Sequence, residues 1–489
     1  MAIGVQRFAR DVGFSFASLG ITALVHFILR VFLARYLGAG DLGLYTLSFT
    51  VYSFGMLFSV FGIGAALTKY VAQYKEDTPK TNFLVSSGSI ITFLIGCATG
   101  LILYFCSTPI ANIFFDMPDL GALLRIVAFV FPFIALEKAT LGFLNGLRRM
   151  RLFAFINITQ GVLTIILTVA LVLWGYGPRG AVLSFVLPIV LMSLFSLFSI
   201  RKSLARPTLE YCTSAIKMLL AFGGYIVLAN SVGLIQTHTD SIMLGYFMTE
   251  TEVGIYAAAI LLALAIRLPS QAIQMITNPT IATYWGKDEV DNIENLINKV
   301  MKYTAVFIIP VGFLVAFLAH EIINLIFGVE FIQAVLPLQI LVIGTVIATI
   351  QSSVGGALSS TAYVSMVFKL SGITMVANII LNLLLIPRLG ITGAAMATST
   401  AMIISVLLHL YFIQRLIGAR IHWKWFAGLF TFTALVTAAT YGFGLIASHY
   451  ICIPVAFVIL MVILLKYFVT REDLALIRKI IPLGNRRSK

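Results

Sequence analysis

Five ionisable side chains stand inside long apolar runs of this chain: Arg30, Glu137, Lys138, Asp240 and Arg267. A charge at the centre of a membrane-spanning helix costs about 2.5–3.5 kcal/mol on insertion scales, so the five would cost on the order of 10 kcal/mol if they faced lipid. They are therefore expected to face a bundle interior or a wet cavity. Three cations against two carboxylates leave a small cationic excess, suited to charge-assisted hydrogen bonds with a phosphate. Arg267 is followed by Leu268 and Pro269. A proline inside a helix leaves the carbonyl of Ala265 without its donor, and such breaks are tolerated in a membrane only beside a cavity or buried protein. Arg267 is thus the leading single candidate.

His26 and Arg30 are four residues apart and share a helix face. Thr237 and Ser241, with Asn230 before them and His238 beside them, make a second polar seam. A histidine, whose unperturbed imidazole changes charge between pH 5 and 8, can couple transport to protons, so His26, His238 and Asp240 are the coupling candidates. Glu137 and Lys138 are adjacent and point about 100° apart, so at least one of them is expected to look into the cavity. Cys97, Cys106, Cys212 and Cys452 show neither paired spacing nor nearby histidines. Neither a disulfide framework nor a metal site is suggested, no cofactor is implied, and an H+ or Na+ gradient is the coupling expected.

The elements that must position these groups are membrane helices. The chain has 489 residues, of which 60% are hydrophobic and only 11% charged, with a mean hydropathy of +1.02. Soluble domains carry about 25% charged residues. Runs of roughly twenty apolar residues recur throughout, and the alternation of a β-barrel is absent. The reading is an all-α integral membrane protein with about fourteen transmembrane helices. Pro132, Pro188, Pro310 and Pro337 fall within them as structural kinks. GKDEVDNIENLINKVMK after Gly286 reads as a solvated, amphipathic loop, and CSTPIANIFFDMPDLG from Cys106 as the longest outer loop. The N-terminus reads as a retained signal anchor, and the sequon at Asn157 lies inside an apolar run, out of reach of glycosylation.

Roughly 26 of the 33 Lys and Arg residues fall in segments that become cytoplasmic when the N-terminus is inside. Both termini are therefore expected in the cytoplasm of a multi-pass protein of the cytoplasmic membrane. The net charge of +14 then reflects topology and attraction to anionic lipids, and nucleic acid need not be invoked. Arg35 and Lys69 read as interfacial anchors, with gate contacts as the alternative.

An internal repeat organises the chain. ARYLGAGDLGLYTLSFTV from Ala34 matches LGYFMTETEVGIYAAAILL from Leu244, setting Gly43-Leu44-Tyr45 on Gly254-Ile255-Tyr256. PRGAVLSF from Pro178 is echoed by LGITGAAMAT from Leu389, and LGFLNG from Leu141 by GGALSS from Gly355. The shared offset of roughly 211 to 214 residues is typical of secondary transporters. It divides the chain into two pseudo-symmetric six-helix lobes, 1–205 and 206–420, around a central cavity, with two further helices and a basic tail in 421–489. Six is even, so the lobes are parallel repeats. The offset sets Asp240 level with Leu29, and an Arg30–Asp240 contact is expected.

LARYLGAGDLGLYTLSFTV, FGIGAALTKYVAQY, GFLNGLRRMRLFAFINI and IPRLGITGAAMATSTA, in this order and spacing, resemble the polysaccharide flippases. Their superfamily also holds the multidrug extruders and the lipid II flippases. The resemblance implies passage of a polyprenyl-linked oligosaccharide from the inner to the outer leaflet by alternating access, with membrane lipids and the glycosyltransferases or polymerase of the pathway as partners. It implies a cationic central cavity but carries over no fixed substrate motif. Cationic drug export would favour an acidic, aromatic cavity, which three buried basic residues oppose. A membrane polymerase or ligase would show a sizeable outer loop with catalytic groups, and the Cys106 segment offers only Asp116 and Asp119. No P-loop appears.

Overall fold

The computed structural model describes residues 2–205, 209–444 and 449–464, with side chains over 27–205, 213–440, 442, 454–462 and 464. Every regular element among them is helical. The first repeat holds α1 (Ala2–Val60), α2 (Ile63–Gln73), α3 (Thr78–Pro109), α4 (Pro118–Ala128), α5 (Phe131–Gly146), α6 (Met150–Leu173) and α7 (Gly177–Ser199). The second holds α8 (Leu209–Phe247), α9 (Glu250–Ala265), α10 (Leu268–Trp285), α11 (Val290–Phe317), α12 (Ala319–Ile326), α13 (Val335–Ser352) and α14 (Val364–Ile417). α15 (Trp423–Gly444) and α16 (His449–Ile463) follow.

Two helices are too long for one crossing. At about 1.5 Å per residue, the 59 residues of α1 and the 54 of α14 far exceed about 30 Å of hydrocarbon. Both are kinked at a glycine: Gly38 has φ 81, ψ −177 and Gly390 has φ 58, ψ −135, backbone states open essentially to glycine alone. Among the described residues nine stretches are long and apolar enough to cross a membrane, ten with the α4–α5 pair, bent by 44°, counted as one span. Splitting α1 and α14 and adding α15 and α16 gives the fourteen expected.

Several boundaries differ from the sequence reading. Pro132 and Pro337 lie in the first turns of α5 and α13, where a missing N–H costs little, while Pro188 and Pro310 lie inside helices. The segment expected as a solvated loop after Gly286 supplies the start of α11, because Ile293, Ile297 and Met301 share one face and are buried. The Cys106 segment is helical to Pro109 and continues as a π-turn over Ile110–Phe114.

Backbone proximity gathers the chain into two units, one of residues 1–261, 324–334 and 375–394, the other of 262–323, 335–374 and 395–489. In the first, α2, α3 and α5 close on a core that includes Ile63, Leu67, Leu84, Phe143 and Leu144. In the second, α11 and α13 pack so closely that a Cβ on Gly312 would run into the Val346 side chain. The same bridge recurs in both repeats: Thr68 Oγ1 donates to the Gly64 and Gly142 carbonyls at 3.0 and 3.1 Å, and Thr277 Oγ1 to those of Ile273 and Ser353 at 3.2 and 3.0 Å. The broken helix recurs too. α9 and α10 part at Ile266–Arg267, and α1 and α2 at Phe61–Gly62.

Candidate functional site

α5 positions the adjacent pair Glu137 and Lys138. Its backbone crosses α2 so closely that a Cβ on Gly142 would collide with the Gly64 carbonyl, and Thr68 ties the crossing. Beside it opens a cavity of about 360 Å³, lined by Lys138, Asn145, Asn157 and Asn230 together with apolar groups that include Met56 and Phe153. The lining carries an ammonium and no carboxylate. Lys138 is 36% exposed there, whereas Glu137 is fully buried. Their charged ends stand 3.6 Å apart, too far for a good hydrogen bond, and neither Glu137 oxygen has a hydrogen-bond partner. The pair is a loose contact between a packed carboxylate and a cavity cation.

Arg30, on the first arm of α1, is partly buried and lies within electrostatic reach of Tyr45 and His238. His238 Nδ1 is 3.2 Å from Thr50 Oγ1, and its ring centroid lies 6.0 Å from that of Phe54, tilted by 58°. The expected Arg30–Asp240 ion pair is not formed among the described residues. Asp240 turns to other partners: the Tyr256 hydroxyl donates to Oδ2, and Asn382 Nδ2 donates to Oδ1 at 2.8 Å. Asn382 also donates to Asn378 Oδ1 at 3.2 Å, and its own buried carbonyl oxygen accepts nothing. A carboxylate beside a hydroxyl and amide groups suits a proton or a small hard cation. No group of three or more His, Cys, Asp and Glu residues able to hold a metal occurs among the described residues.

Arg267 occupies the break between α9 and α10 and caps α10, whose first turn contains Pro269. Its carbonyl accepts from the Ser270 hydroxyl at 2.8 Å, and Ser352 Oγ donates to Ser270 Oγ at 2.8 Å. The break is therefore held by side-chain hydroxyls. The side chain of His26 and the basic tail from 465 onward lie outside the described residues. Arg35 donates to the carbonyls of Leu325 and Ile326 at the end of α12, while Glu330 Oε1 accepts from the Ala39 amide at 2.8 Å.

The structure thus brings Lys138 to a cavity, packs Glu137 behind it and gives Asp240 its own polar cluster. Sequence reasoning missed Asn145, Asn378, Asn382 and Tyr256. The signal for Asn378 and Asn382 was two amides one turn apart in an apolar helix; Asn145 lay within the repeated LGFLNG.

A family model described as "Polysaccharide biosynthesis protein" matches residues 32–336. Two proteins of Haloferax volcanii are similar along most of their length. "Probable flippase AglR" is 25% identical over 408 residues, 83% of each chain, and "Probable low-salt glycan biosynthesis flippase Agl15" is 23% identical over 419 residues, 86% of each. Among solved structures, "Lipid II flippase MurJ, inward closed conformation" superposes with a TM-score of 0.72 at 20% identity, covering 94% of this chain and all of that one. That likeness establishes the two-lobe fold.

Proposed function

The chain belongs to the polysaccharide biosynthesis protein family, and on that premise we propose that it is a flippase for a polyprenyl-(di)phosphate-linked oligosaccharide, moving it from the cytoplasmic to the outer leaflet. It serves cell-surface polysaccharide or glycoprotein synthesis as a transporter, not an enzyme. The observation that carries this reading is the Lys138 cavity, whose lining offers a cation and three amides but no carboxylate. A diphosphate and a glycan need such a hydrogen-bonding surface, while the long lipid tail stays in the bilayer. Arg30 and Arg267 are the further cationic candidates for meeting the cargo.

Access alternates by rocking of residues 1–205 against 206–420, with the two C-terminal helices in 421–489 outside the moving pair and both termini in the cytoplasm. The coupling site is Asp240, whose carboxylate exchanges a proton or Na+ among Tyr256, Asn378 and Asn382; His238, beside the Thr50 hydroxyl, is the second coupling residue. Glycosyltransferases or the polymerase of the pathway deliver or receive the cargo.

The test is flipping of a fluorescent polyprenyl-diphosphate oligosaccharide in proteoliposomes, comparing the wild type with Arg30→Ala, Lys138→Ala and Arg267→Ala and using a cationic dye as control cargo. Wild-type movement of the oligosaccharide, reduced in folded variants, is expected. Movement of the dye alone overturns the reading in favour of drug export.

A further inference from the structure

The three amides in the Lys138 cavity come from three different helices: Asn145 from α5, Asn157 from α6 and Asn230 from α8. An asparagine in an apolar helix normally satisfies its amide locally. Asn157 does so in part, donating from Nδ2 to the Phe153 carbonyl at 2.9 Å, which leaves its carbonyl oxygen for the cavity. Among the described residues the side chains of Asn145 and Asn230 have no hydrogen-bond partner. Thr68, the remaining polar group in the lining, spends its hydroxyl on the Gly64 and Gly142 carbonyls. The open hydrogen-bonding capacity is therefore amide in kind: a paired donor and acceptor on Asn145 and on Asn230, and an acceptor on Asn157. Phe153 adds an aromatic ring and Met56 an apolar wall.

We propose that Asn145, Asn157 and Asn230 read the sugar attached next to the diphosphate, through its hydroxyl or acetamido groups, and so set which glycan the protein carries. The inference rests on the flippase reading and adds a division of labour to it. Lys138 meets the anionic group that every such carrier has, whereas the amides meet groups that differ from sugar to sugar. An amide pair matches adjacent hydroxyls of a pyranose, and Phe153 gives its C–H face an apolar surface. A volume of about 360 Å³ is at the low end of small-molecule sites, about 300–1,000 Å³, so the site reads a short stretch of glycan. A site built to hydrogen-bond a hydroxyl rejects the analogue lacking it, because its own polar groups are then left unpaired.

The experiment uses the full chain in proteoliposomes with synthetic polyprenyl diphosphates carrying glucose, N-acetylglucosamine, a deoxy analogue of either, or no sugar. The wild type is expected to move the sugar-bearing carriers at rates differing by at least about tenfold, one good hydrogen bond to a polar group being worth that much. Asn145→Ala, Asn157→Ala and Asn230→Ala are expected to flatten those ratios and leave the sugar-free carrier unchanged, while Lys138→Met slows all carriers alike. In a second readout, alkylation of Asn230→Cys is expected to be slowed by the sugar-bearing carrier and not by the sugar-free one. Variants that keep the wild-type ratios, or a cysteine protected equally by both carriers, overturn the subsite while the flippase reading stands. A wild type that moves no polyprenyl diphosphate overturns both.

Discussion

Gly43 and Gly254 cross at van der Waals contact: a Cβ on Gly43 would collide with the Glu250 carbonyl, and one on Gly254 with that of Ala39. These are the glycines that the internal repeat sets on one another, so each copy of the motif packs on its own counterpart. The tyrosine two residues on is buried in both copies, Tyr45 at 3% exposure and Tyr256 at 2%. Its surroundings have diverged in charge. Tyr256 donates to Asp240, whereas Tyr45 lies in the field of Arg30. Duplication supplied two equivalent tyrosine positions, and one copy holds an anion where the other holds a cation.

Gly43→Ala is expected to force this crossing apart, at about 1–3 kcal/mol for overpacking a close contact. Gly233→Ala is the control, since a Cβ there meets nothing within 4 Å and alanine is the better helix former. Thermal unfolding in detergent should therefore fall for the first and hold or rise for the second. Equal melting of the two would mean the helices part without cost.

Lys138 is the cation facing the fully buried Glu137 carboxylate. Removing one partner of such a pair leaves an uncompensated group, at about 3 kcal/mol, the low end for buried pairs because Lys138 is partly exposed. Lys138→Met should therefore destabilise more than the Glu137→Gln/Lys138→Met double variant. A double-mutant cycle on melting midpoints measures this; purely additive effects would mean that the 3.6 Å contact contributes nothing.

What was legible in the sequence follows from which signals are local. Hydropathy marks helices wherever they lie, and the repeat is visible because its motifs keep their order. The break at Arg267 could be read because Pro269 announces it, while the matching break at Phe61–Gly62 could not, since a glycine in an apolar run equally fits an unbroken helix. Glu137 and Lys138 illustrate a second limit. α5 is buried nearly all round, so periodicity could not tell which of the two faces the cavity. The Asp240 cluster shows a third: Asn382 lies 142 residues away in sequence, and an offset argument that aligned Asp240 with Leu29 directed attention to Arg30 instead.

Arg35 and Glu330 form a reciprocal clasp around the Gly38 turn. Arg35 takes the carbonyls that end α12, favourable for a cation at a helix C-terminus. Glu330 takes the Ala39 amide at the start of the next arm of α1, favourable for an anion at an N-terminus. A Cβ on Gly38 would sit 2.9 Å from Glu330 Oε2. Glu330→Ala and Arg35→Ala are each expected to raise the reactivity of a cysteine placed at the buried Ala39 toward a water-soluble thiol reagent by about tenfold, as loss of a charge-assisted bond of about 1.5 kcal/mol implies. Unchanged labelling would show that the turn holds without the clasp.

Asp240 gives the sharpest test of coupling, because Asn at this position keeps the shape and removes the charge. Asp240→Asn can still accept from one of the two donors Tyr256 and Asn382, so the cost to stability is expected to be about 1–3 kcal/mol and the protein should purify intact. In proteoliposomes the wild type is expected to flip faster under an imposed Na+ or proton gradient, and Asp240→Asn to flip at one rate with or without it. Asn382→Ala, which removes the Oδ1 donor and the neighbouring open carbonyl, should weaken the response while leaving the carboxylate in place. If Asp240→Asn keeps the full gradient response, the carboxylate is a packing element tied between α8, α9 and α14, and the coupling ion binds elsewhere in the chain.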